Sequence, residues 1–330
     1  MFFFKIINYK MNLGNINLIG LKMLNEKKYD DCVNYYKKAI SEQSFFAPFY
    51  GNCAIAYLNL NKISQAIDYA NKALEISLYE FCYFKILASI YEKINDLEKR
   101  DKVWKLAQEK NIIINWLQRP THLIRSILSK PWYDLNEFKY QTDLLINNFK
   151  IIKKELNYLI ENKISFQKDT EKLTDKNKGW NKYVLYHKGI KNINECRNCP
   201  ETTKIIEKIQ DATTLVCGQI QFSKLEPNTH IKEHCAYTNI RTRIHLGLII
   251  PDNVEIMVGN IKKSWVEGSC IILDDSYNHE VWHNGNRDRY ILIVDIWHKD
   301  LNTFEKRFNS LENNEDKIKY YSICKNNNLI

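Results

Sequence analysis

Proline and glycine are scarce in this 330-residue chain, at 6 and 10 residues, which excludes collagen-like and proline-rich disordered readings. No run of about 20 apolar residues occurs, so no membrane-spanning helix is predicted. The start, Met1 to Lys10, carries Phe2, Phe3 and Phe4 but lacks a basic leader, a long apolar stretch and a small-residue cleavage site. A soluble, intracellular protein is therefore expected, with the cytoplasm as its compartment. The nine cysteines (32, 53, 82, 196, 199, 217, 235, 270 and 324) are odd in number and irregularly spaced, which argues against a secreted disulfide framework. A dense basic block is also missing. The net charge of +9 comes mostly from lysines scattered among Asn and Ile, so a lysine-rich surface is expected rather than a nucleic-acid interface.

What the chain does have is core material. Its 14 Phe, 20 Tyr and 7 Trp exclude a wholly disordered polypeptide. The length suits two modest domains, at about 150 residues each.

The first third repeats itself. At an offset of 34 residues, Ala39, Ala73 and Ala107 coincide, as do Tyr29, Ile63 and Leu97, and Tyr36, Ala70 and Trp104. Gly20, Ala54 and Ala88 mark a small position, and Met23, Tyr57 and Tyr91 follow three residues later. Each unit reads as two amphipathic helices: first helices near Ile19–Asn25, Tyr50–Leu60 and Tyr83–Lys93, second helices near Tyr29–Ser41, Ile63–Ile76 and Leu97–Lys110. A small residue in the first helix lets the second approach closely, and the late Ala of the second lets the next unit stack. Over about residues 15–112 the period and these residue types resemble the tetratricopeptide repeat, although the proline usual at the end of each unit is missing. The resemblance implies a face that binds a peptide or protein, either a polypeptide substrate or a partner; a spacer or dimerisation role fits the sequence equally.

Periodicity fades between Glu109 and Trp132, where Pro120 and Pro131 fall. A helical segment is predicted over Asp134–Asn162, then a Lys/Asp/Asn-rich loop over Gln167–Lys178. From Gly179 strand patterns dominate. Trp180–Tyr186, Leu215–Ser223, Arg241–Ile250, Glu255–Val258, Gly268–Leu273 and Arg289–Trp297 read as short strands separated by turn residues. Gln219, Gln221 and Ser223 share one face of their strand; Arg241, Arg243 and His245 share one face of theirs, with Ile244, Leu246 and Leu248 opposite. A strand face of Arg, His and Ser suits a cavity that binds anions and metals better than it suits solvent. The spacings predict a sandwich or jelly roll.

Two histidines stand out as metal ligands: His234, in Glu233-His234-Cys235-Ala236, and His279, in Asp274-Asp275-Ser276-Tyr277-Asn278-His279. Arg289 follows ten residues after His279. Two imidazoles with a downstream guanidinium fit a mononuclear Fe(II) site that takes an α-keto acid: the keto acid chelates the metal at one end, and its far carboxylate needs a fixed cation.

Residues 179–300 resemble the aspartyl/asparaginyl β-hydroxylase family of 2-oxoglutarate-dependent oxygenases. The matching stretches, in order, are Gly218–Ser223, Glu226–His230, Arg241–Pro251, Trp265–Gly268, Asp274–Trp282 and Arg289–His298, with Trp180 in an early Trp segment. Vertebrate members likewise carry a tetratricopeptide-like region before the oxygenase. The resemblance implies that His234 and His279 ligate Fe(II) and act as the catalytic pair. It implies that Ser223 and Arg289 hold the distal carboxylate of 2-oxoglutarate, and Arg243 and His245 the end near the metal. Trp180 lines the co-substrate pocket or the core, and Arg241 with Gln219 meets the substrate. O2 is the third reactant.

Two positions depart from or bear on the family pattern. Where a facial triad places a carboxylate two residues after the first histidine, this chain has Ala236; the family also lacks a carboxylate there, having Gly, and water or another exogenous ligand would fill the position. Where the family has Lys two residues before the serine, this chain has Gln221, which removes a cation from the substrate pocket. Asp274 or Asp275 is expected either to orient His279 through its second nitrogen or to form the turn. His230 and His298 are expected at strand ends or loops, and His283 in an exposed turn. Cys196 and Cys199 are expected as loop thiols or a local disulfide.

The expected architecture is α+β: a tetratricopeptide-like α-solenoid over residues 1–120, a helical linker over 121–178, and a double-stranded β-helix (a cupin-like jelly roll) over 179–330. The expected activity is hydroxylation of the β-carbon of Asp or Asn in a polypeptide. The alternatives are hydroxylation of a lipid acyl chain or small metabolite, and a non-catalytic binding module with an inactive oxygenase shell.

Overall fold

The 34-residue pattern folds as three helix pairs. In a computed structural model, which describes residues 2–171, 173–174 and 179–330, the pairs are α1 (Phe2–Asn25) with α2 (Tyr29–Glu42), α3 (Ala47–Asn59) with α4 (Ile63–Ile76), and α5 (Phe81–Lys93) with α6 (Leu97–Glu109). The small positions do what their size permits. A Cβ at Gly20 would lie 2.2 Å from the ring of Tyr36, so α2 reaches α1 because nothing projects there. Ala54 and Ala88 are buried in the same way. Each first helix closes with one residue in the left-handed region, Lys27, Asn61 and Asn95 at φ 60, 57 and 58. The next amide then donates back to the helix, from Lys28 to Met23, Lys62 to Tyr57 and Asp96 to Tyr91, each at 2.9 Å. The turn after α4 uses Leu78 and Tyr79 at φ 55 and 69 in place of proline.

The chain divides into two compact units, residues 1–116 and 117–330. The core of the first contains only its own residues, centred on Tyr36, Phe49, Ala54, Phe84 and Trp104.

The second unit contains, in order, β1 (Trp132–Tyr133), α7 (Lys139–Asn147), α8 (Phe149–Glu161), β2 (Gln167–Lys168), β3 (Trp180–His187), β4 (Ile190–Lys191), the short helices α9 (Ile193–Asn198), α10 (Pro200–Ile206) and α11 (Gln210–Thr213), and then β5 (Gln219–Leu225), β6 (Thr229–His234), β7 (Arg241–Ile249), β8 (Val254–Val258), β9 (Ile261–Lys263), β10 (Cys270–Leu273), β11 (His279–His283), β12 (Arg289–Trp297), α12 (Phe304–Ser310) and α13 (Asn314–Asn326). Of the predicted loop Gln167–Lys178, Lys172 and residues 175–178 lie outside the described residues.

Two antiparallel sheets form. One runs β1-β10-β7-β12-β5-β3-β2 with β4 beside β3; the other runs β6-β11-β8-β9. The larger sheet is covered on its outer face. Ile244, Leu246 and Leu248 of β7 and Leu292 of β12 share a core with Leu145, Ile152, Leu156 and Leu159 of α7 and α8. Its inner face shares a second core with the smaller sheet, through Ile291, Ile293, Ile231, Val258 and Val281. A strand buried on both faces loses the apolar–polar alternation, which explains why all nine residues of β12 are buried.

The described residues of 121–178, expected as a helical linker, instead pack within the second unit. They add β1 and β2 to the larger sheet, and their apolar helical stripe supplies one wall of the main core.

Candidate functional site

Both candidate histidines sit at strand ends, His234 closing β6 and His279 opening β11, and the two are direct partners in the antiparallel register. Their ring centroids are 4.0 Å apart. The Nδ1 of each faces a backbone carbonyl two residues upstream: His234 with Lys232 at 2.7 Å, His279 with Tyr277 at 2.9 Å. A carbonyl only accepts, so both rings carry their proton at Nδ1, and each Nε2 keeps its lone pair. Burial holds His279 down to about 3, and neighbouring His234 adds to the effect; burial also lowers His234. Two neutral imidazoles that each keep an Nε2 lone pair have the protonation state that metal ligation requires. Among the described residues no group of three or more His, Cys, Asp or Glu converges as a metal site, consistent with Ala236 two residues after His234.

The orienting partner of His279 is the Tyr277 carbonyl, not Asp274 or Asp275. Asp274 instead accepts from the Ser276 amide at 2.9 Å and shapes the turn. Asp275 belongs to a buried charge box. It receives Arg241 through two contacts, the shorter 2.7 Å, and Arg243 at 3.0 Å. Arg243 also grips Asp295 at 2.6 and 3.0 Å. Burial raises Asp275, but Arg241 and Arg243 outweigh it and hold the carboxyl well below its ordinary value. Two cations and two anions cancel, so Arg241 and Arg243 offer their remaining N–H bonds to a ligand and little net charge.

Arg289 is different. It is 2 % exposed, and its Nε is buried without a hydrogen-bond partner. Among the described residues no carboxylate pairs with it; its guanidinium lies 5.0 Å from the centre of the Trp265 ring. Burial alone lowers it to about 9, which still leaves it charged at neutral pH. Close by in the sheet, the Nε1–H of Trp265 donates to Nδ1 of His245 at 3.2 Å. The neutral ring of His245 therefore carries its proton at Nε2, which is also buried and unpartnered. Ser223 accepts from the Nε1–H of Trp180 at 3.1 Å, which frees its own O–H to donate.

One cavity of about 410 Å³ lies between the sheets. His234, His279, Ser223, Arg243, His245, Arg289, Trp180, Arg241 and Gln219 all reach it, so the structure brings together every site residue singled out in the sequence. Apolar side chains fill the intervals: Ile231, Ile256, Val281, Ile291 and Ile293.

Residues 146–299 match the family described as Aspartyl/Asparaginyl beta-hydroxylase. The aspartyl/asparaginyl beta-hydroxylase of Mus musculus is 32% identical over 255 residues, covering 75% of this chain and 34% of that protein. The human protein of the same name is 32% identical over 255 residues, covering 75% of this chain and 33% of that protein. The C-terminal unit belongs to this family. The chain spans about a third of the length of these two curated relatives. The repeat region is similar to the Arabidopsis OM64 TPR domain, with a TM-score of 0.28 at 21% identity over 30% of this chain and 82% of that one.

In this unit, several residues that shape the site carried no separate signal in the sequence. Asp295 interrupts the apolar run of β12 and follows Arg289 at even spacing on the same face, a period-2 clue. Trp265 lies in a loop, and nothing local announces that it serves His245. Gln221 is fully buried, and neither of its side-chain polar atoms has a partner; a family lysine at this position would put a charge there. His283 is buried rather than exposed: its Nε2–H donates to the Arg287 carbonyl at 2.9 Å and its Nδ1 accepts from the Gly285 amide at 3.1 Å, locking the turn before Arg289. His230 lies within β6, stacked on Trp282 and 2.9 Å from Glu280. His298 is buried just after β12 and bonds Tyr133 at 2.8 Å. Cys196 and Cys199 are free, buried thiols.

Proposed function

We propose that the β-hydroxylase unit is an Fe(II)- and 2-oxoglutarate-dependent oxygenase that hydroxylates the β-carbon of an Asp or Asn residue in a polypeptide. The observation that carries this reading is Arg289: a buried guanidinium without an anionic partner among the described residues, lining the same cavity as two neutral imidazoles. An unpaired buried charge is costly, and a dicarboxylate chelating a metal between His234 and His279 would supply the missing anion. The sheet order also supports the reading. Strands β5 to β12 divide between the two sheets as β5-β12-β7-β10 and β6-β11-β8-β9, changing sheet at every connection except the β8–β9 hairpin, an order that a double-stranded β-helix would give.

His234 and His279 would hold the iron through Nε2. The Nδ1 bonds to Lys232 and Tyr277 fix both rings in the tautomer that ligation needs. Iron bound there would supply O2 activation coupled to decarboxylation of 2-oxoglutarate, giving succinate, CO2 and a hydroxylated C–H bond. Arg289, with the Ser223 hydroxyl, would clamp the far carboxylate by charge-assisted hydrogen bonds. His245 Nε2–H and Arg243 would donate to the end near the metal. Arg241 and Gln219 would meet the substrate through donors that the Asp275–Asp295 box leaves free. The apolar lining excludes water from the reacting carbon. The tetratricopeptide-like repeats would present a groove for the polypeptide.

Succinate release in the presence of Fe(II), 2-oxoglutarate and O2, together with a mass gain of about 16 Da on an Asp- or Asn-containing peptide, tests the reading. Succinate without peptide oxidation would redirect the substrate to a lipid or metabolite. No succinate under any substrate would leave a binding module.

A further inference from the structure

The segment that opens the second unit, residues 117–119, crosses both histidine-bearing strand ends. The Asn278 amide donates to the Leu117 carbonyl at 2.6 Å. Gln118 bridges Tyr277 in antiparallel fashion, and its Nε2–H donates to the buried Ser276 hydroxyl at 2.8 Å. The Arg119 guanidinium donates to Asn278 Oδ1 at 2.8 Å and lies 3.4 Å from Glu233 Oε1. Asn278 immediately precedes His279, and Glu233 immediately precedes His234. The side chain of Arg119 is 8% exposed and that of Glu233 18%, so water competes weakly for either contact.

We propose that Arg119 is a positioning residue: by gripping the residue before each imidazole, it fixes the separation and aim of the two rings that take the metal. The proposal rests on the iron reading above. The contacts that join the two ring carriers include the β6–β11 ladder, whose register shifts between His279 and Val281, and the Ala236 amide bonded to the Asp275 carbonyl at 2.7 Å. The ladder is therefore least regular where the rings stand, and one buried guanidinium nitrogen, Nη2 of Arg119, contacts both carriers and adds a constraint across them. Groups that orient metal ligands from behind commonly set affinity by about 10- to 100-fold.

The test uses the full chain and Mn(II) alone, with free Mn(II) read by electron paramagnetic resonance. Arg119→Leu is expected to weaken Mn(II) binding about 10-fold or more, with little change in melting temperature. Arg119→Lys, which keeps the charge on a shorter and more flexible side chain, is expected to recover part of the loss. In the metal-free protein, the ring nitrogen NMR signals of His234 and His279 are expected to move in Arg119→Leu while those of His283 stay. Unchanged Mn(II) affinity and unchanged ring signals in a folded Arg119→Leu would overturn the proposal. Should Arg119→Leu fail to fold, Asn278→Ala, which removes one acceptor, decides by the same two readings. A wild type that takes no Mn(II) defeats the iron reading instead, and the ring signals alone then decide the role of Arg119.

Discussion

Arg289 carries a positive charge into a cavity where, among the described residues, no carboxylate meets it, beside Trp265 and Ile291. The proposed 2-oxoglutarate would complete this arrangement through its far carboxylate. Arg289→Met keeps the volume and removes the unpaired charge. The ligand-free protein is then expected to gain about 1–3 kcal/mol in denaturant unfolding, while 2-oxoglutarate binding falls about 100-fold or more. A variant less stable than wild type would show that Arg289 is satisfied without a ligand. Asp274 makes a pH prediction. Its carboxyl is fully buried, and one oxygen lacks a partner; burial pushes it up to about 7. Between the ordinary carboxylate range and that value the folded state holds a proton that the unfolded state has lost. Asp274 therefore favours folding most below about pH 4 and loses that contribution as pH rises through 7, at about 1.4 kcal/mol per unit. Asp274→Asn is expected to flatten this part of the stability–pH curve; an unchanged slope would place the titration elsewhere.

Elements explain why some of the site was legible and some was not. Strand β7 announced itself because its two faces differ chemically, Arg241, Arg243 and His245 against Ile244, Leu246 and Leu248. The periodicity also gave the six repeat helices within a few residues of their observed ends, apart from the longer start of α1. Strands β6 and β11 stayed hidden. Thr229–His234 has a single strongly apolar residue, Ile231, and His279–His283 is five residues long with histidines at both ends, so neither offers a period to count. The pairing of Arg243 with Asp275 and Asp295 was invisible because those partners lie 32 and 52 positions away and meet only through the fold. The stripe of α7 and α8 was readable as helix, but whether it docks on the sheet or spans solvent depends on a surface that no local pattern describes. Another tertiary contact makes a testable element. At Gly247 a Cβ would stand 2.5 Å from the Val266 carbonyl oxygen, in the turn after Trp265. Gly247→Ala is expected to cost about 1–3 kcal/mol, to shift tryptophan fluorescence and to weaken 2-oxoglutarate binding through His245. A variant with wild-type affinity would separate Trp265 from co-substrate binding.

At the scale of the molecule, the chain folds as two units, each with its own core. None of the helices described is long and apolar enough to cross a membrane. Ala54→Leu overfills the repeat core, where Ala54 is fully buried, and is expected to destabilise residues 1–116 by about 1–3 kcal/mol in urea unfolding while leaving 2-oxoglutarate affinity unchanged. Equal loss of both would join what the cores keep apart. The architecture, helical repeats followed by a strand-rich unit, was present in the sequence because each half has its own period. Its division at residue 116 and the recruitment of 121–178 into the second core were not, since both depend on long-range packing. The most direct test of the whole account is calorimetric titration of 2-oxoglutarate into the Mn(II)-treated protein under anaerobic conditions. The account predicts one co-substrate per chain in the wild type, with binding lost in both His279→Ala and Arg289→Met. Equal binding in all three proteins, or none in the wild type, would contradict it.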